Sequence, residues 1–300
     1  MSSGTFALRL PATSANLGPG FDALALALSL YLDIEATPAK EYSIRATGRN
    51  VDICSAVERN LLLYTYKKVL EQQNAKEIPL AIKMHNGIPI GMGLGSSAAT
   101  RLAGVALAAH FGNLGWDRSR ILTEASRLEG HPDNTAACWL GGFTVACLNG
   151  DEVEAISLTP RAAWPAVVVM PQKPLPTVLS RKVVPETFNR KDVVSNLQRV
   201  ALLTAAFATG HGELLATAVN DKIHQPYRAE VCPLLKTLLP LSGKGQILSV
   251  TLSGAGPSVL CLIESKLEID EAKRLILECV NGEDVEMIAC NIELNAVMYL

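Results

Sequence analysis

The chain has 300 residues, 49% of them hydrophobic and 19% charged, with 27 Lys plus Arg against 29 Asp plus Glu for a net charge of −2. So apolar a chain with so few charges is not intrinsically disordered, and its near-neutral balance argues against a nucleic-acid binder that works by neutralising phosphates. The mean hydropathy of +0.23 raises the question of a membrane. The longest apolar run, however, is residues 23–32, which includes Ser29 and is closed by Asp22 and Asp33, well short of the roughly 20 residues a spanning helix needs. Hydrophobic patterning predicts strands over 5–10, 26–37 and 42–47 and a helix over 60–73. Residues 80–84 read as a short strand before a glycine-rich turn, 97–111 as a helix that Gly112 ends, 118–128 as another helix and 142–148 as a strand. Five of the sixteen prolines fall within 160–176, which predicts a domain junction or a rigid loop. Helices near 193–208 and 212–220 follow, then alternating strands and helices to the end. The class is α+β, with two domains expected over 1–160 and 161–300.

The seven cysteines are odd in number and form no C-x-x-C pair, and the five histidines show no H-E-x-x-H. This predicts reduced, mostly buried thiols in a cytoplasmic protein, with neither a disulfide framework nor a zinc site. The first residues place no basic stretch before an apolar block, so no secretory signal is expected.

Chemistry concentrates in residues 87–100, GIPIGMGLGSSAAT. Gly91, Gly93 and Gly95 allow unusual dihedrals and close backbone approach, and Ser96 and Ser97 open an Ala-rich helix whose first amides have no partner within the helix. Such a loop is an anion site suited to phosphates. A Walker A loop would need a Lys beside the glycines, and a dinucleotide fingerprint would need Gly where Ser96 stands; both fail, which weakens a dehydrogenase reading.

The pattern P-x-x-x-G-L-G-S-S-A, from Pro89 to Ala98, resembles the phosphate-binding signature of the GHMP kinases. Residues 11–22, PATSANLGPGFD, closely resemble the opening motif of the homoserine-phosphorylating branch, and residues 129–134, EGHPDN, with Gly141 and Gly142, are again similar to it. Residues 253–258, SGAGPS, resemble the superfamily's C-terminal glycine motif. These stretches fall in the family's order over most of the chain.

The resemblance implies an N-terminal ATP-binding domain and a C-terminal ferredoxin-like domain, with the active site in the cleft between them. It implies ATP and Mg2+, homoserine as the small-molecule substrate, and a role in threonine biosynthesis. It implies no nucleic-acid or membrane partner and allows a homodimer. Carried over residue by residue, the nucleotide site is Asn60 for adenine with Pro89, Gly91, Gly93, Leu94, Gly95, Ser96, Ser97 and Ala98 for phosphate. Ser97 and Glu129 would hold magnesium, with Glu124 as the ligand should the register shift. Asn16 and Asp22 would contact the amino acid, Asp22 suiting its ammonium. Thr177, Arg181 and Arg228 would take its carboxylate, because a planar guanidinium grips a carboxylate through two hydrogen bonds.

Relatives in the superfamily place an aspartate base near Asn134. An asparagine has no useful pKa for that task, so Asn134 implies direct in-line transfer by positioning and charge neutralisation. His131, beside Pro132, reads as structural rather than as a base. The rival readings are a mevalonate- or sugar-type kinase, for which Asp22 would lack a reason, and a non-catalytic metabolite sensor, which would not need Ser97 and Glu129.

Overall fold

The computed structural model describes residues 4–295 and 297–299. Two sheets organise these residues. The first contains β1 (Phe6–Asn16), β2 (Gly20–Pro38), β3 (Ser43–Gly48), β4 (Leu80–Asn86), β5 (Phe143–Asn149) and β6 (Glu152–Leu158), and is completed by β11 (Met298–Tyr299) at the chain's end. Its spine runs β11-β1-β2-β4-β3. Strand β2 serves two neighbours in turn, pairing with β5 over Leu24–Leu26 and with β4 over Leu32–Pro38. The second sheet contains β7 (Ala166–Pro171), β8 (Ile247–Leu252), β9 (Val259–Ile263) and β10 (Val285–Cys290), in the order β10-β7-β9-β8. With helices following β7 and β9, that order is the ferredoxin-like arrangement the resemblance implied.

Strand β7 explains the link between the sheets. Its Val167 and Val169 enter the core under the Ile269–Val280 helix, while Ala166, Val168 and Met170 enter the larger core that runs under the first sheet. Alternate side chains of a strand point to opposite faces, so a strand buried on both reads as an unbroken apolar run.

The structure departs from the sequence expectations at several points: the strand expected over 5–10 runs on to Asn16, the strand Glu152–Leu158 and the helices Val51–Ser55 and Thr177–Lys182 are additional, and four further departures have plain reasons. Strand β2 begins at Gly20, before the predicted residue 26, because its apolar run is buried through Leu24–Leu28 and shows no alternation. The helix Asp133–Leu140 was not predicted; eight residues are too few to display a helical period. The predicted helix over 212–220 is a 3-10 turn, Gly212–Leu214, followed by a single α-turn, Leu215–Ala218. The proline-rich 160–176 is not only a connection, since β7 lies inside it, with Pro165 just before the strand and Pro171 as its last residue. The chain then returns: Ile292 bridges to Leu28, and β11 pairs with β1. Described cysteines are all free, and most are buried. Among the described residues no helix is long and apolar enough to cross a membrane.

Candidate active site

The glycine loop lies between β4 and the helix Ser96–Phe111, and the three glycines take φ of +74°, +75° and +71° at Gly91, Gly93 and Gly95. Close contacts require two of them. A Cβ on Gly93 would meet the Ser253 carbonyl oxygen at 2.3 Å, and one on Gly95 would meet Thr13 Oγ1 at 1.9 Å. Neighbouring helices are capped by their own side chains: Asn60 accepts from the amides of Leu62 and Leu63, and Asp117 from that of Arg120. The Ser96–Phe111 helix starts from Gly95 with no side-chain cap, which leaves its first amides to an external anion. Leu94 and Ala98 are buried behind the loop, and so is Pro89 ahead of it.

Three motifs far apart in sequence meet at this loop. Thr13 donates its amide to the Leu94 carbonyl (3.0 Å) and its hydroxyl to Asn134 Oδ1 (2.7 Å). Ser253 Oγ donates to the Gly93 carbonyl (2.8 Å), and Gly254 N to that of Ala15 (3.1 Å). Asn16 lines the cavity, but its carboxamide is engaged: Nδ2 donates to the Gly254 carbonyl (2.9 Å) and Oδ1 accepts from the Asp22 amide (3.0 Å). It thereby fixes the turn that presents Asp22, a turn in which Asn16, Leu17 and Asp22 all take positive φ.

Two cavities share the walls Gly91, Ser96 and Ser97. One, of about 120 Å³, is polar and contains Asp22, Glu129, Asn134, Thr177 and Arg181. The other, of about 220 Å³, is lined mainly by apolar groups such as Leu32, Ile53, Met84 and Ile90. Asn60 borders the apolar cavity, but as the cap of the Leu61–Gln72 helix it also donates to the Cys54 carbonyl (2.8 Å), so its polar atoms are committed to the protein.

In the polar cavity Arg181 grips Asp22 with two hydrogen bonds, 2.7 and 3.1 Å. Ser97 Oγ donates to Glu129 Oε2 (2.8 Å), and Arg101, one helical turn beyond Ser97, pairs with the same oxygen (2.7 Å). Glu124 instead pairs with Arg127 and is buried away from this cavity, so Glu129 is the acid beside Ser97. Arg228 is not brought to the cavity lining. It is buried and donates to the carbonyls of Ser180 (3.3 Å) and Gly254 (3.1 Å). Burial, reinforced by Arg181, pushes its pKa down to about 10, which still leaves it charged at neutral pH.

Sequence reasoning missed several groups. Thr13 and Arg101 lay outside the assigned residues, and Asp133 lay inside the quoted EGHPDN without a role. Asp133 is fully buried and accepts from the Asn134 amide (2.7 Å), and its Oδ1 lies 2.6 Å from His131 Nδ1. His131 lines the polar cavity; burial disfavours its charged form, but the bond and charge of Asp133 outweigh this and raise its pKa.

His224 is fully buried. Its Nε2 lies 2.7 Å from the Gly18 carbonyl and its Nδ1 3.2 Å from Arg228, a pair of contacts that selects the neutral Nε2–H form. Burial, helped by Arg228 against the pull of Asp221, brings its pKa down to about 4. The unfolded chain, with an ordinary pKa near 6.5, therefore takes up this proton first as pH falls, and stability is lost between about pH 6.5 and 4. His110, lowered by burial, adds to the same slope, whereas His131, raised, opposes it near the top of this range, where the unfolded chain is still taking up its proton. Urea unfolding at pH 6.5 and 4.5 is expected to show a loss on the order of 2 kcal/mol that His224→Gln largely removes. An unchanged pH dependence in that variant would contradict the assignment.

The two sheets and an uncapped helix start at a glycine loop, beside a cavity lined by Asp22, Glu129 and Arg181, fit a phosphotransferase of the small-molecule kinase class. The description "GHMP kinases N terminal domain" matches residues 60–142, and "GHMP kinases C terminal" matches residues 203–278. The homoserine kinase of Solibacter usitatus is 42% identical over 293 residues, covering 97% of this chain and 96% of that protein. The homoserine kinase of Moorella thermoacetica is 36% identical over 262 residues, covering 86% and 88%. The crystal structure of homoserine kinase from Cytophaga hutchinsonii superimposes with a TM-score of 0.82 at 22% identity, covering 100% and 98%, a likeness of fold. The chain belongs to the homoserine kinase family of the GHMP kinases.

Proposed function

We propose that the protein transfers the γ-phosphoryl group of ATP to the side-chain hydroxyl of L-homoserine, giving O-phospho-L-homoserine and ADP in threonine biosynthesis. The observation that carries this reading is the Asp22–Arg181 pair in the polar cavity beside the glycine loop. A carboxylate and a guanidinium held side by side form the complement of a zwitterion, whose ammonium replaces Arg181 on Asp22 and whose carboxylate replaces Asp22 on Arg181. The names of the relatives support the same substrate.

In this reading ATP lies across the shared wall, its base in the apolar cavity and its phosphates over the free amides that begin at Ser96. Asn60 shapes the base pocket by capping the helix that borders it. Thr177 stands beside the substrate carboxylate, Arg228 backs it from the interior, and Asn16 holds the Asp22 turn. Ser97 Oγ and the Glu129 carboxylate are adjacent hard oxygens, a donor set that fits Mg2+, and Arg101 keeps the carboxylate in place. Such an ion, when bound, neutralises charge on the phosphoryl oxygens.

The substrate hydroxyl oxygen attacks the γ-phosphorus in line. The new O–P bond forms as the bond to the β–γ bridging oxygen breaks, ADP leaves with that electron pair, and the hydroxyl proton passes to the transferred phosphoryl group. Asn134 positions rather than deprotonates: Thr13 holds its Oδ1 and one Nδ2–H reaches Asp133 Oδ1 (3.3 Å), which leaves the second Nδ2–H to donate to the substrate oxygen.

The same reading divides the chain into a nucleotide-binding unit, 1–160, and a second unit, 161–300, whose last residues reach back onto the first sheet. It places the enzyme in the cytoplasm and allows a homodimer. A coupled ADP-release assay is expected to show magnesium-dependent turnover of homoserine, lowered about 100-fold in kcat by Glu129→Gln. Turnover no greater than that of an Asp22→Ala, Arg228→Ala double variant would sink the reading.

A further inference from the structure

Phe21 is the large side chain of the PATSANLGPGFD motif, and nothing so far gives it a task. Its ring centroid lies 5.1 Å from the guanidinium carbon of Arg228 and 5.7 Å from that of Arg181. It also stacks on the buried imidazole of His224, at 5.1 Å and 22°. The guanidinium of Arg181, in the cavity wall, and that of Arg228, buried behind it, repel each other, and Arg181 is among the causes that lower the pKa of Arg228.

The two arginines are otherwise held by different means. Arg228 has carbonyl partners and the His224 ring. Arg181 is held by Asp22, the group that the substrate ammonium takes on binding. The ring of Phe21 is the contact that both guanidiniums share. The face of an aromatic ring is electronegative and attracts a cation within about 6 Å, which an aliphatic side chain of similar volume does not.

We propose that Phe21 is a positioning residue for the substrate carboxylate, its ring face holding Arg181 and Arg228 together while Asp22 passes from Arg181 to the substrate ammonium. The proposal rests on the homoserine-phosphorylating reading above.

The test is to place 4-fluoro-, 3,5-difluoro- and 3,4,5-trifluorophenylalanine at position 21, which weakens the ring's electrostatics stepwise with little change in shape. KM for homoserine is expected to climb with each fluorine, reaching about fivefold at three, while kcat and KM for ATP stay within about twofold. Phe21→Leu is expected to raise KM for homoserine by about tenfold. A KM for homoserine that is flat across the fluorine series overturns the proposal even if Phe21→Leu is impaired, because the ring would then only fill space. Absence of homoserine turnover in the unsubstituted protein overturns the reading beneath it, and the proposal with it.

Discussion

Replacing Gly95 with alanine is expected to lower kcat by at least about 100-fold, the scale that a misplacement of about 1 Å imposes on a reacting geometry. The added Cβ would lie 1.9 Å from Thr13 Oγ1 and 3.1 Å from Thr13 Cβ, at a φ of +71° that L residues rarely adopt. Thr13 cannot withdraw, because β1 is held in register with β2 through the Thr13–Ala27 pair. Either the loop lifts away from β1, carrying the start of the Ser96–Phe111 helix with it, or the Thr13 side chain turns and releases Asn134. Backbone strain and overpacking together are expected to cost about 2–4 kcal/mol of stability. Gly115 supplies the comparison, with a similar φ of +67° and nothing within 4 Å of an added Cβ. Gly115→Ala should therefore lose about 1 kcal/mol from strain alone and keep its activity. Thermal unfolding and ADP release measured on both variants decide the matter; equal effects at the two glycines would show that packing against Thr13 is unimportant.

Removing either Asp22 or Arg181 is expected to raise KM for homoserine by about 100-fold, since a substrate charge enclosed in the cavity would then lack its partner, and truncating one side of a buried charge pair costs about 2–5 kcal/mol. KM for ATP should not follow. The two variants separate when the substrate is 4-hydroxybutanoate, which keeps the carboxylate and hydroxyl but lacks the ammonium. Arg181→Ala should weaken this analogue as it weakens homoserine. Asp22→Ala should leave it unaffected or improve it, because Arg181 is then free of its competing partner. An Asp22 variant that loses the analogue as severely as it loses homoserine would remove Asp22 from ammonium binding. Arg181→Lys is expected to recover little, since an ammonium cannot reproduce the two parallel bonds of a guanidinium.

Much of the fold was legible in the residues. The helix over 97–111 and its stop at Gly112 came within one residue of the observed Ser96–Phe111, because Gly95 and Gly112 punctuate it at both ends. Strand β2 and the short helix Asp133–Leu140 were harder, since burial on both faces and brevity each erase the periodicity on which such readings depend.

In the site, motif spelling located the glycine loop, Asp22, Glu129, Asn134 and Arg181, and all of these line one cavity. Spelling could not say what each side chain would touch. Asn16 and Asn60 are committed to backbone groups, Arg228 is buried behind the cavity, and Thr13, Arg101 and Asp133 hold the assigned residues in place.

What the sequence by itself determined is local: three glycines ahead of a helix opened by Ser96 and Ser97, and the spelling and order of the motifs on which the family resemblance rests, from which the roles of Asp22, Arg181, Arg228 and Asn134 were only implied. Only the tertiary structure decided that Asp22 pairs with Arg181, that Glu129 rather than Glu124 meets Ser97, and that Phe21 sits against both arginines. Hydrogen bonds and ion pairs depend on distances of about 3 Å between groups as far apart in the chain as Asp22 and Arg181, 159 residues, and such distances exist only once the two sheets have packed around their cores.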